Sequence, residues 1–249
     1  MTENAFEAIS GTNSQSPILF LCDHASSALP PGGLGLDPAL LSTHIAYDIG
    51  AASVTRALAA AYGAPALLGA WSRLLIDLNR GADDPTLVMK LSDGSIIPGN
   101  RDADDAEVAR RIAAFHAPYH AAIAAALDRI GPAAVIFSMH SFTPAWKGRP
   151  RPWEVGVLYD RDVRLAAPLM TRLAEAGFTV GDNEPYTGAL EGDTLWRHGT
   201  LRGLPHVLIE MRQDLVGSDE QAQGFAVRLK PILDAALSDM ALRSEAIGQ

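Results

Sequence analysis

The stretch Pro17 to Ser27, PILFLCDHASS, constrains this chain more than any other. Ile18, Leu19, Phe20, Leu21 and Cys22 form a short apolar run behind Pro17, the pattern of a strand buried on both faces of a parallel sheet. Asp23 and His24 follow at once, where the chain is expected to leave the sheet. Ligands of open α/β sheets bind at the carboxyl ends of strands, so this pair marks a site by position as well as by chemistry.

A second run, Ala133 to Met139, ends the same way, in His140, Ser141 and Phe142. The last apolar run, His206 to Met211, closes on Glu210, Met211 and Arg212. Two histidines and a glutamate at strand ends suit a shared metal, because catalytic zinc takes His and carboxylate ligands and keeps a position for water. His24 and His140 are the expected ligands and Glu210 the expected base. Asp48 is the first choice for the third ligand, since it lies in the nearly uncharged stretch AYDIGA and a carboxylate in such company needs a partner. Asp23 and His44 stand behind it. Zinc fits this donor set, as would manganese, cobalt or iron.

Between these runs the pattern alternates. Helical spacing predicts one helix from Leu40 to Tyr62, which puts His44 and Asp48 on one face, and another from Asp104 to Ile130 carrying His116 and His120. The His116/His120 pair lacks the glutamate of a zincin motif and is read as structural. Ala66 to Ala70, Leu74 to Leu78, Val155 to Tyr159 and Phe178 to Val180 read as strands, and Asp162 to Ala176 and Ser218 to Leu242 as helices. This order predicts an α/β fold, a three-layer α/β/α sandwich with a mixed, largely parallel sheet. Asn79 and Arg80 offer an amide and a guanidinium fork suited to clamping a carboxylate, against the alternative of a salt bridge to Asp83 or Asp84. His198, on the loop 194–202, and Arg212, at the last strand end, join them as candidate substrate-binding residues. The segments 90–101 and 182–202 read as loops of the kind that form lids or binding loops, and the sequence does not fix whether they close over the site.

Composition narrows the partner. Lys plus Arg number 20 against 29 Asp plus Glu, with no basic run, which argues against nucleic acid or a membrane surface and leaves a small molecule. Cys22, alone and inside a strand, reads as an inert buried thiol. Residues 1–16 are expected to be a flexible polar leader without signal-peptide character, and 17–249 a single catalytic domain, cytoplasmic because no apolar run reaches the roughly 18 residues of a membrane span. No Gly-rich phosphate loop and no G-x-S-x-G elbow are present, which argues against nucleotide chemistry and a serine hydrolase. Nothing in the helices fixes an oligomeric state.

The blocks CDHASS, HIAYDIGA, SRLLIDLNR, IPGN, HSFTP, NEPY and IEMRQD, in this order, resemble the N-formylglutamate amidohydrolase family, which is similar in fold to zinc carboxypeptidases and aminoacylases. The resemblance implies His24 and His140 on the metal, Glu210 as base, Asn79 and Arg80 on the substrate carboxylate and Arg73 polarising the scissile carbonyl. It also implies N-formyl-L-glutamate as substrate, cleaved to formate and glutamate in histidine breakdown; another N-acyl amino acid is the alternative. Ser27 departs from the His-x-x-Glu ligand pair of the carboxypeptidase-like relatives, which is why Asp48 has to be argued separately. A metal-free carboxylate-binding protein would keep Asn79 and Arg80 without needing Glu210 opposite two histidines, and a purely structural protein would need none of them.

Overall fold

The computed structural model describes residues 4–247. Seven strands form its main sheet: β1 (Phe6–Ile9), β2 (Ile18–Cys22), β3 (Ala66–Gly69), β4 (Val135–Phe142), β5 (Val155–Leu158), β6 (Val180–Asp182) and β7 (His206–Arg212). Their spatial order is β1-β3-β2-β4-β7-β5-β6. β3, β2, β4 and β7 run parallel, while β1 joins β3 and β5 joins β7 antiparallel. The central run β2-β4-β7 is therefore where the three polar strand ends meet.

Alternation along these strands separates two cores. Phe20, Phe137, Met139, Val207 and Ile209 face helices α1 (Ala51–Tyr62), α4 (Val163–Glu175) and α6 (Asp219–Ile247). Phe20 and Phe137 stack at the middle of that layer, with ring centroids 5.7 Å apart. Leu19, Leu21, Ile136 and Leu208 face the other way, toward α3 (Ala117–Ile130) and the long segment after β3. α2 (Asp105–Arg111) runs into α3 through a π-helical turn, Ile112–His116. The three-layer α/β/α sandwich read from the pattern is the observed architecture. Among the described residues no helix is long and apolar enough to cross a membrane.

Four expectations need correction. First, residues 1–16 are not uniformly a leader, because Phe6–Ile9 pair with Ala66–Gly69 and occupy the free edge of β3. Second, Leu74 to Leu78 are not a strand. With that edge taken, they turn across the sheet and bury Leu74, Leu75, Ile76 and Leu78 as a covering layer. Third, the helix expected from Leu40 begins only at Ala51, preceded by a 3-10 turn at Pro38–Ser42, so His44 and Asp48 do not share a helical face. Gly50 explains the interruption: its φ of 82° is left-handed, and any Cβ there would stand 2.1 Å from the Val216 carbonyl oxygen. Fourth, β4 extends through His140 to Phe142, so that histidine projects from the face of the sheet and not from a loop beyond it.

The segment 90–101 holds a two-residue hairpin, Leu91–Ser92 with Ser95–Ile96, and a 3-10 turn at Pro98–Asn100. The segment 194–202 is mostly helical, with α5 (Thr194–His198) followed by a 3-10 turn at Thr200–Arg202.

Gly50→Ala should lower stability by more than ~1 kcal/mol, read as a lower urea midpoint at unchanged m-value, since both the backbone angle and the close approach forbid a Cβ. An unaltered midpoint would mean that the loop carrying Asp48 is not held against residue 216.

Candidate active site

At the carboxyl ends of β2 and β4 the chain must bury several ionised groups, and it does so by pairing them. Asp48, on the loop before α1, places Oδ2 2.9 Å from His140 Nδ1 and 3.4 Å from His24 Nδ1. One ligand atom from each of these three residues lies within 4.8 Å of the others, a group able to hold a metal ion. The two imidazoles meet edge to face, with centroids 4.9 Å apart.

Each histidine is held from behind by a second carboxylate. His24 Nε2 lies 2.6 Å from Asp77 Oδ1, and His140 Nε2 lies 3.0 Å from Asp23 Oδ2. An Nε2–H donated to a carboxylate leaves the Nδ1 lone pair free, the arrangement that orients histidine ligands in metal sites. Asp23 accepts further bonds from Ser138 Oγ and Thr194 Oγ1, so it is occupied as a support for His140. The Arg73 guanidinium spans the other side, 3.3 Å from Asp48 Oδ1 and 3.0 Å from Asp77 Oδ2.

Charge balance shifts these groups in opposite directions. Burial disfavours the Asp23 carboxylate, yet hydrogen bonding to His140 outweighs it and draws Asp23 down to about 2. Burial likewise disfavours charge on Asp48 and Asp77, but the neighbouring His24 outweighs it, helped at Asp48 by His140 and at Asp77 by Arg73, and both lie well below the usual carboxylate range. His140, buried but facing Asp23 and Asp48, is raised to about 10. Glu210 behaves differently. Its Oε2 is buried without a hydrogen-bond partner, and burial, with Asp48 adding to it against His140, raises it to about 7. Glu210 stands opposite His140 in the β7–β4 register, at the same end of the sheet.

These residues open into a cavity of about 600 Å³ whose lining includes His24, Asp48, Arg73, His140 and Glu210, together with Asn79 and Arg80. The Asn79 amide oxygen accepts from the Thr194 backbone N–H, and Arg80 donates to Thr86 Oγ1 and to the Asn79 carbonyl. Neither Asn79 nor Arg80 pairs with Asp83 or Asp84. The cavity therefore brings together a group able to hold a metal ion, a buried carboxyl and two candidate carboxylate-binding residues. The profile of the N-formylglutamate amidohydrolase family matches residues 16–216.

The chain belongs to that family. It is thus a hydrolase of amide bonds. Among solved structures it is similar to gene product Atu2144 from Agrobacterium tumefaciens, at 33% identity over 96% of this chain and 97% of that one, with a TM-score of 0.90. It shares its fold with N-formylglutamate amidohydrolase from Ralstonia eutropha, at 23% identity over 97% and 98% of the two chains, with a TM-score of 0.69. No curated protein matches it.

Three sequence candidates of this family member sit elsewhere. His44 stands at the cavity rim, 3.2 Å from Asp93, outside the His24/Asp48/His140 group. His198 is buried behind the cavity wall, its Nε2 3.0 Å from His120 Nδ1, in a stack that also holds His116. Arg212 bonds Asp214 and the carbonyls of 151–153, so it secures the end of β7 and does not line the cavity. Residue type signalled these positions, but which way each side chain faces was set by packing. Asp77 was missed altogether. Its signal was present in LLIDL, a carboxylate among apolar residues, the same argument that singled out Asp48.

Replacing Asp77 by Asn should cost about 3–5 kcal/mol near neutral pH, because Arg73 and His24 lose a fully buried partner. A carboxylate whose folded value is depressed contributes stability above its unfolded value and loses it as pH falls through the folded one. The gap between the Asp77→Asn variant and wild type, measured by urea unfolding, should therefore narrow as pH drops below 3.8.

Proposed function

We propose that this chain is a metal-dependent amidohydrolase that removes the acyl group of an N-acyl amino acid, with N-formyl-L-glutamate as the reference substrate. One observation carries the reading: His24 Nδ1, His140 Nδ1 and Asp48 Oδ2 converge beside a buried, partnerless Glu210 oxygen. Two imidazoles and a carboxylate suit zinc, and the carboxylates behind both imidazoles fix them as donors. A divalent cation there would polarise the scissile carbonyl and lower the pKa of the attacking water.

The chain's own groups supply the rest. Glu210 accepts a proton from the attacking water and passes it to the leaving nitrogen, a shuttle suited to a carboxyl whose affinity for the proton has been raised toward the working pH. Arg73, held in place by Asp48 and Asp77, presents its guanidinium toward the cavity, where the carbonyl oxygen gains negative charge. Asn79 and Arg80 bind the α-carboxylate, which sets the amide between that clamp and Glu210. The family's description supports formyl as the acyl group.

Metal content by mass spectrometry, with formate release from N-formyl-L-glutamate assayed on the same samples, tests this. Wild type should carry about one equivalent of divalent metal and release formate; His24→Ala and His140→Ala should lose both. A folded wild type that takes up no metal even when zinc is supplied would overturn the metal-dependent mechanism.

Glu210→Gln should retain metal and lose roughly 10²–10⁴-fold in kcat. Glu210 starts from about 7 and would come down beside a cation, so the acid limb of wild-type kcat/KM should fall between 4.5 and about 7, with activity lost toward lower pH as the base protonates. The same limb surviving in Glu210→Gln would assign it to another group.

A further inference from the structure

The cavity extends well past the groups that the reaction uses. On β7, Leu208 and His206 lie two and four residues before Glu210, hence on the same face of the sheet, and both line the cavity. Leu208 pairs in register with Leu158 of β5, which lines it too. Over this floor lies α5 with the turn after it: Leu195 forms part of the roof, and Thr200 Oγ1 sits 3.2 Å from His206 Nε2 at the far end. From Glu210 to His206 the floor is four residues long, or ~13 Å at strand rise. This is an apolar arm leading away from the reacting centre.

Its position relative to the carboxylate clamp decides what it receives. α5 begins at Thr194, whose backbone N–H bonds the Asn79 amide oxygen and whose hydroxyl bonds Asp23. The arm therefore opens beside Asn79 and Arg80, on the side where the leaving amino acid is held, so its occupant is that amino acid's side chain.

Charge then argues against glutamate. Among the described residues, Arg73 and Arg80 are the guanidinium groups lining the cavity, and no lysine lines it. Arg73 is already paired with Asp48 and Asp77, which leaves Arg80 to bind one substrate carboxylate. A second carboxylate carried into the arm would meet Leu158, Leu195 and Leu208, and the carboxylates beside these are Asp160 and Asp193, the latter capping α5. At the arm's end both His206 nitrogens are taken, Nδ1 by the Leu204 carbonyl and Nε2 by Thr200. A desolvated carboxylate without a cation is strongly disfavoured there.

We infer that this enzyme acts on N-formyl or short N-acyl amino acids with an apolar side chain, such as leucine or phenylalanine, in preference to the glutamate derivative. This rests on the reading above for the hydrolytic chemistry and for the clamp of Asn79 and Arg80; the apolar preference stands on the lining of the arm.

The test separates the two. Metal-loaded Glu210→Gln, which holds ligand without rapid turnover, is melted with N-formyl-L-leucine, N-formyl-L-phenylalanine and N-formyl-L-glutamate, and formate release by wild type is measured on the same three compounds. The leucine and phenylalanine compounds should raise the Tm at lower concentration than the glutamate compound, with kcat/KM higher by at least about tenfold. Thr200→Lys, which sets a cation at the end of the arm on a half-buried position, should move that ratio toward glutamate. Equal or tighter binding of the glutamate compound, no shift by any of the three, or a ratio unmoved by Thr200→Lys would overturn the inference. Selective binding of the apolar compounds without formate release would uphold it and remove only the hydrolytic reading.

Discussion

Three buried carboxylates, Asp23, Asp48 and Asp77, govern the architecture around the site. None of them can be ionised away from water without a charged or hydrogen-bonded partner, and each finds it in His24, His140 or Arg73. The pairings dictate where the surrounding chain can go. Asp48 must reach back to the strand ends, so the loop before α1 is pinned there, with the Asp48 backbone N–H also donating to the His24 carbonyl. Asp77 must lie beneath His24, so the segment after β3 crosses the sheet and does not extend it. What is a solvation requirement in one place becomes a folding instruction for the neighbouring segments.

The same arrangement separates fully hydrogen-bonded carboxylates from one that is not. Asp23 and Asp77 are saturated with hydrogen bonds and held far below the range where they could exchange protons. Glu210, with one oxygen left without a partner, is raised by burial to about 7 even though His140 draws it down. Environment alone separates them, for all are carboxyl groups at one end of one sheet. Behind them the imidazoles of His116 and His120 engage the carbonyls of Arg80 and Leu78, and burial lowers both histidines, to about 3 for His120. Neutral rings at these positions buttress the backbone that presents Asn79 and Arg80 without adding charge to it.

Much of this was legible in the sequence wherever a long apolar run ended in a polar residue. Such runs located β2, β4 and β7, and with them His24, His140 and Glu210, because a strand buried on both faces leaves a strong and local signature. The same reasoning failed where spacing mimicked periodicity. Leu41, Ile45 and Ile49 recur as if on a helix, yet Leu41 lies in the 3-10 turn Pro38–Ser42, and Ile45 and Ile49 lie in the loop that the left-handed Gly50 separates from α1. β1 was hidden by its brevity and half-exposed edge position, and its presence is what denied Leu74 to Leu78 a place in the sheet. His198 and Arg212 have suitable chemistry, but orientation is a tertiary property that residue type does not encode.

The donors of the candidate metal group come from residues 24, 48 and 140, on the turn after β2, the loop before α1 and strand β4, far apart along the chain. β2 and β4 are neighbours in the sheet, yet over a hundred residues separate Asp23 from His140. Loop closure over such distances is slow and comes before any contact can reward it. The donors therefore owe their proximity to the hydrophobic pairing of β2 with β4 beneath them.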